Sequence, residues 1–114
     1  GSVLAVPSSV EELQHCGYQC VKVQSCEKPR PLACGKTMIA GDSRWYEITA
    51  PQRLFRGSDI ATRTDADKIC EQSMGEGVKA LVGTSVTGVI KLDANTEYWV
   101  HNDVATHNNC WQPN

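Results

Sequence analysis

The chain has 114 residues, 40% of them hydrophobic and 21% charged, the proportions of one globular domain rather than a disordered segment. Its 11 Lys and Arg against 13 Asp and Glu leave a formal charge of -2, so charge gives no ground for expecting a nucleic-acid partner. No apolar run approaches the ~20 residues of a membrane-spanning helix, and no membrane partner is expected.

Gly1-Ser2 reads as a cloning remnant. Residues 1–6 are therefore expected to lie outside the fold, as a tag remnant or disordered N-terminus, with 7–114 as a single disulfide-rich domain. Ser9-Val10-Glu11-Glu12 has the form of a capping box, which predicts a helix of about two turns from Val10 towards Cys16, ended by Gly17. Tyr18, Cys20, Val21 and Val23 alternate and predict a short strand. Lys28-Pro29-Arg30-Pro31 is expected to be an unpaired loop pinned by Cys26 and Cys34, because each proline removes a backbone donor. A strand over Lys36 to Ala40, a turn at Gly41-Asp42 and a strand over Arg44 to Thr49 follow from the β-formers and the turn residues.

Residues 51–63 lack periodicity and are expected to form an exposed loop. Thr64 is the predicted cap of the main helix, with Asp65 and Asp67 in the first turn. Ala66, Ile69, Cys70, Ser73 and Met74 follow helical spacing, and Gly75 stops it. Lys79 to Thr87, Val89 to Asp93 and Glu97 to His101 then read as two or three antiparallel strands. Gly88 marks a turn or bulge, and Asp93 to Thr96 a connection with turn chemistry. The architecture these elements imply is α+β: an antiparallel sheet of four or five strands, one main helix packed on a face, and disulfide staples.

The staples come from Cys16, Cys20, Cys26, Cys34, Cys70 and Cys110. An even number in a small chain reads as a disulfide framework, and so as a protein of an oxidising compartment, secreted and extracellular. Zinc spacing is absent, since there is no CxxC pair, and no metal or cofactor is expected. Six cysteines allow 15 pairings. At least one bridge within Cys16 to Cys34 is expected to be local, and Cys110 is expected to return to the N-terminal cluster, with Cys20 as the preferred partner.

Candidate chemistry is sparse. Glu47, His101 and an arginine such as Arg63 are the parts that general acid–base cleavage of RNA requires. His101, Asp103 and His107 offer three mixed metal ligands without a fourth, so a polar loop is the expected reading. Arg53, Phe55 and Arg56, with Arg63 near them, form a basic–aromatic patch suited to an anionic or carboxylate-bearing partner. On a disulfide-stapled scaffold such loops are where binding residues gather.

Three resemblances accompany these residues. Tyr18-Gln19-Cys20, Trp45-Tyr46-Glu47 and a last hairpin running into Asn108-Asn109-Cys110 resemble the small fungal ribonucleases. In that family, however, the long helix precedes the central sheet, and a T-H-T-G segment holds the histidine. A Cys20–Cys110 bridge would accompany that topology. Ala66-x-x-x-Cys70 followed by Lys79-Ala80-Leu81-Val82 is similar to the second helix and following strand of C-type-lectin-like domains, which would imply carbohydrate binding. Here it would be without calcium, since Gln112-Pro113-Asn114 and His101-Asn102-Asp103 stand in the wrong order, and a Cys70–Cys110 bridge would accompany it. Taken whole, the size, the six cysteines with a clustered N-terminal set, the Tyr18-x-Cys20 and the absence of enzyme motifs resemble the small cysteine-rich effectors secreted by plant-pathogenic fungi. That resemblance implies a non-catalytic virulence protein, secreted or delivered into host tissue, that binds a host or partner protein.

Overall fold

The computed structural model describes residues 1–7, 9–82 and 89–112. In chain order the elements are β1 (Ser2–Ala5), α1 (Val10–Cys16), β2 (Val21–Val23), β3 (Arg30–Pro31), β4 (Cys34–Ala40), β5 (Ser43–Thr49), β6 (Leu54–Phe55), α2 (Arg63–Met74), β7 (Lys79–Ala80), β8 (Val89–Ile90) and β9 (Glu97–Trp99). The strands form sheets in the orders β2-β1-β9, β3-β6 and β7-β4-β5-β8. The molecule is α+β with one main helix and three disulfides. The four-stranded sheet is accompanied by two smaller ones, and its β8 runs parallel to β5 rather than antiparallel.

A central layer divides the core in two. β1 pairs with β9 through Val3–Trp99 and Leu4–Tyr98. The amide of Ala33 donates to Trp99 O, that of Leu81 to Ala33 O, and that of His101 to Leu81 O. Side chains alternate across such extended backbone, so neighbouring residues enter opposite cores. Val3, Leu32, Ala80 and Trp99 pack on the side of α2 with Phe55, Ile60, Ala66, Cys70 and Trp111. Leu4, Ala33, Leu81, Tyr98 and Val100 pack on the other side with Ile48, Cys16 and Cys20. Residues 1–6 therefore do not lie outside the fold. Val3 and Leu4 are fully buried, and β1 is the middle strand of its sheet. The apolar run Val3-Leu4-Ala5 is an interior strand.

The two helices begin as side-chain caps dictate. Ser9 Oγ accepts from the Glu12 amide at 3.1 Å, which starts α1 where the capping box places it. α2 is capped two residues earlier than expected: Thr62, not Thr64, accepts from the Asp65 amide at 3.1 Å. Gly75, at φ 111°, ends it, in a conformation that a β-carbon disfavours. Asp67 Oδ1 accepts from the Ala80 amide at 3.0 Å and ties α2 to β7.

Four local expectations change. Gly17–Cys20 continues α1 as a 3₁₀ turn, so the strand begins only at Val21. The proline segment does pair, Arg30 with Phe55 and Pro31 with Leu54. In a two-stranded sheet both strands are edges, where a missing donor is tolerated. The 51–63 segment is only partly exposed, because Pro51, Phe55, Gly57 and Ile60 are buried. The last three strands do not pair with one another: β7 joins β4, β8 joins β5 and β9 joins β1. The expected strand over Lys79 to Thr87 lies outside the described residues from 83 on, as do the turn or bulge at Gly88 and residues 113–114. The Asp93 turn is present: Asp93 O accepts from the Thr96 amide, and its carboxylate accepts from the Asn95 amide and the Thr96 hydroxyl.

The bridges are Cys16–Cys20, Cys26–Cys110 and Cys34–Cys70. One is local, and Cys110 does return to the N-terminal cluster. Its partner is Cys26 rather than Cys20, because Cys20 is already held by Cys16 across the end of α1. Neither the Cys20–Cys110 nor the Cys70–Cys110 bridge is present. Three disulfides in a small chain are consistent with an extracellular protein.

Candidate functional site: a stapled corner around Leu54

The sequence candidates Arg53, Phe55, Arg56 and Arg63 separate in space. Phe55 is 7% exposed and belongs to the core. Arg53 is exposed and lays its guanidinium over the Phe55 ring, 4.9 Å from the centroid. Arg56 is held in a bidentate pair with Asp59, at 3.2 and 3.3 Å. Arg63 opens α2, its amide bonded to Gln112 O at 2.8 Å, and its charge acts on His101. Of the four, Arg53 and Phe55 are together, and between them stands Leu54.

Leu54 is 61% exposed. Alternation along β6 sends Phe55 inward and Leu54 outward. Three segments meet around Leu54 and enclose an open cavity of about 260 Å³. Its lining comes from Lys28 to Pro31, from Leu54 and from Asn95 to Glu97. The floor is built from groups far apart in sequence. Arg30, 5% exposed, places its guanidinium over the Trp99 ring at 4.8 Å from the centroid. It also donates to Ser25 O at 3.0 Å and to Glu97 Oε1 at 3.4 Å. Trp99 Nε1 donates to Phe55 O at 2.7 Å and locks β6 onto the same ring.

The Cys26–Cys110 bridge lies beside Gly57, just past β6. Ser58 N donates to Cys26 O at 3.2 Å, and a β-carbon at Gly57 would collide with Cys110 Sγ. Glycine is what lets the chain pass so near the bridge. The corner therefore presents an exposed leucine, two prolines and the cation Lys28 on a rigid floor, while Arg53 lies on the Phe55 side of β6. Such a surface fits a partner with an apolar anchor and acidic groups around it.

The other candidates sit elsewhere. Glu47 pairs with Lys91 at 3.2 Å and lines a cavity of about 130 Å³ with Lys36, Met38, Thr49, Met74 and Val78. His101 is 2% exposed, and its Nδ1 accepts from Trp111 Nε1 at 3.0 Å. Burial, then the Arg63 charge, lower the His101 pKa, against the opposing pull of Asp103 and Asp67. Burial raises the pKa of Tyr46. His101 and Glu47 thus have different surroundings. Among the described residues no group of three His, Cys, Asp or Glu is placed to hold a metal ion. The asparagines carry the 102–109 loop: Asn102 Oδ1 accepts from the Val104 and Ala105 amides, and Asn109 exchanges two bonds with the Asn102 backbone.

Sequence reading reached Arg53 and Phe55 but missed Leu54, Arg30 and Glu97. The only local signal was Leu54 beside the arginines; the Arg30–Glu97 pair spans 67 positions. No family model, no curated protein and no solved structure matches the chain.

Proposed function

We propose that this is a secreted, disulfide-stabilised effector that acts by binding a host or partner protein rather than by catalysis, with the corner around Leu54 as its docking surface. The observation that carries the reading is an exposed leucine set on a floor of buried ionic, aromatic and disulfide contacts. An apolar side chain at 61% exposure leaves most of its surface in water. Covered by a partner, the exposed part would contribute about 1–2 kcal/mol, or roughly a five- to thirtyfold change in affinity. Rigid presentation lowers the ordering cost of association. The likeness in kind to secreted fungal effectors points the same way.

The test compares wild type with Leu54→Asp and Lys28→Glu, immobilised against extracellular proteins of the candidate host, with Val104→Asp as a surface control. A defined protein kept by wild type and Val104→Asp, lost with both corner variants, and binding again when purified is the expected result. Retention unaffected by either corner substitution refutes the docking surface. RNA cleavage by wild type that disappears in both Glu47→Gln and His101→Ala would refute the non-catalytic reading in favour of a ribonuclease. Specific glycan binding that survives a chelator would favour the lectin-like one.

A further inference from the structure

Among the described residues the β4–β5 hairpin outruns its neighbours: β7 pairs with β4 only at Cys34 and Gly35, and β8 pairs with β5 only at Glu47 and Ile48. Among the described residues nothing pairs with the outer edge of β4 from Lys36 to Ala40. The direction of its backbone groups follows from one bond: the Leu81 amide donates to Ala33 O at 2.9 Å. Backbone groups alternate sides along an antiparallel strand, so those of Gly35, Thr37 and Ile39 face this edge, while the even-numbered residues face β5. Gly35 is engaged by Lys79. Thr37 and Ile39 are left, in a stretch without proline and with its one charge, Lys36, at the inner end. The devices that normally protect an edge strand are missing, and Ile39 is 65% exposed.

We propose that this edge pairs with the same edge of a second copy of the chain about a twofold axis, making one continuous sheet through both molecules. A single antiparallel register satisfies the backbone. Setting Thr37 opposite itself would bring Ile39 against Gly35, whose groups β7 already holds. Setting Ile39 opposite itself would bring Thr37 against Gly41, which lies in the turn at φ 60° and is not extended. The register that is left places Thr37 opposite Ile39 of the second copy, twice, each pair exchanging two hydrogen bonds.

That register also makes the side chains self-complementary, which argues for a second copy over any other strand. Met38 faces Trp45 within the hairpin, and the axis sets the two Met38 side chains against each other. An apolar row of Trp45, Met38, Met38 and Trp45 then crosses four strands on one face. On the other face the exposed Ile39 comes beside Thr37. Lys36 lies opposite Ala40 of the second copy, beside the Gly41-Asp42 turn that follows it in that copy. An acid, not a second lysine, is therefore near each Lys36. The contact is small, so the association is reversible and concentration-dependent.

Sedimentation equilibrium tests this on the oxidised chain. The expected result is a weight-average mass rising from one chain towards two with concentration, and a rise abolished in Ile39→Pro. Proline there removes only an outward-facing donor, and edge strands accept it; an unchanged circular dichroism spectrum checks the fold. A Met38→Cys variant supplies the independent readout. Directly opposed residues of a non-hydrogen-bonded pair have Cα atoms about 4.5 Å apart, within reach of a disulfide. It should form a reducible covalent dimer under mild oxidation, while Thr37→Cys, directed to the other face and away from its own counterpart, should not. A wild-type mass of one chain up to about 1 mM, the weak end of the affinity scale, overturns the proposal. So does a Met38→Cys variant that yields no more dimer than Thr37→Cys.

Discussion

Removing the bridges one at a time, as paired Cys→Ala variants, separates two contributions that the structure sets against each other. The first is chain entropy, which grows with the loop closed. Separations of 84, 36 and 4 residues correspond to about 4.6, 3.8 and 2 kcal/mol for Cys26–Cys110, Cys34–Cys70 and Cys16–Cys20. On that scale alone Cys26–Cys110 is worth most. The second contribution is packing. Cys34 and Cys70 are both fully buried in the core on the α2 side, and truncating each leaves a void that costs about 1 kcal/mol or more. Cys26 and Cys110 are half-buried and give up less. Packing therefore reverses the entropic order. Cys34→Ala/Cys70→Ala should lose about 6 kcal/mol, Cys26→Ala/Cys110→Ala about 5, and Cys16→Ala/Cys20→Ala about 2. Urea midpoints of the three variants measure this, and non-reducing peptide mapping of the wild type checks the pairing itself. If the Cys16/Cys20 variant is destabilised as much as the Cys34/Cys70 variant, the reasoning fails. A map showing Cys20–Cys110 would remove its premise.

Three further outcomes follow from single contacts. An indole N–H only donates, so the Trp111–His101 bond at 3.0 Å requires a neutral imidazole with its Nδ1 lone pair free. Burial and Arg63 hold the folded pKa below the ordinary 6.5, so stability is full above that pH and falls as the pH drops below it; melting temperatures from pH 8 to 4 should show the fall, and His101→Gln should flatten it. Arg30→Ala leaves Glu97 and Ser25 O without their shared partner and should lower stability by about 2–4 kcal/mol in denaturant titration. Arg30→Lys should recover only part, since an ammonium neither forks nor stacks as a guanidinium does. Asn102→Ala should cost about 1–3 kcal/mol and, more specifically, speed hydrogen exchange at the Val104 and Ala105 amides, which its side chain holds.

What could be read from the sequence was local. The α1 cap depends on Ser9 and Glu12, three residues apart, and the β4–β5 hairpin on β-formers about Gly41-Asp42. Both emerged as the pattern requires, and α2 emerged with its cap displaced by two residues. The failures are nonlocal. β1 reads as a remnant because its four residues gain meaning only from strands elsewhere in the chain, β2 about twenty positions on and Trp99 and Tyr98 more than 90 positions away. β8 reads as part of a meander, since nothing in Val89 or Ile90 announces a parallel partner forty residues earlier. The basic–aromatic segment stands out by its composition, yet composition does not say which way each side chain turns. Period-two alternation along β6 sends Phe55 in and Leu54 out. A local acid, Asp59, takes Arg56, and a helix start carries off Arg63.

The pairing of the cysteines also decides how the two proposed surfaces respond to a reductant. Cys26–Cys110 lies beside Gly57, next to the β6 strand that carries Leu54, and both its cysteines are half-buried. The β4–β5 arm carries no cysteine beyond Cys34, whose bridge is enclosed in the core. Accessible bridges exchange first, so mild reduction should open Cys26–Cys110 and Cys16–Cys20 before Cys34–Cys70. The corner would then lose its support while α2 stays bound to β4 and the edge of the arm keeps its register. Partner binding and self-association should therefore separate along a reductant titration, the first declining before the second. Simultaneous loss of both would mean that the corner and the arm depend on one cooperative unit, with the bridges adding stability to the whole rather than rigidity to a part.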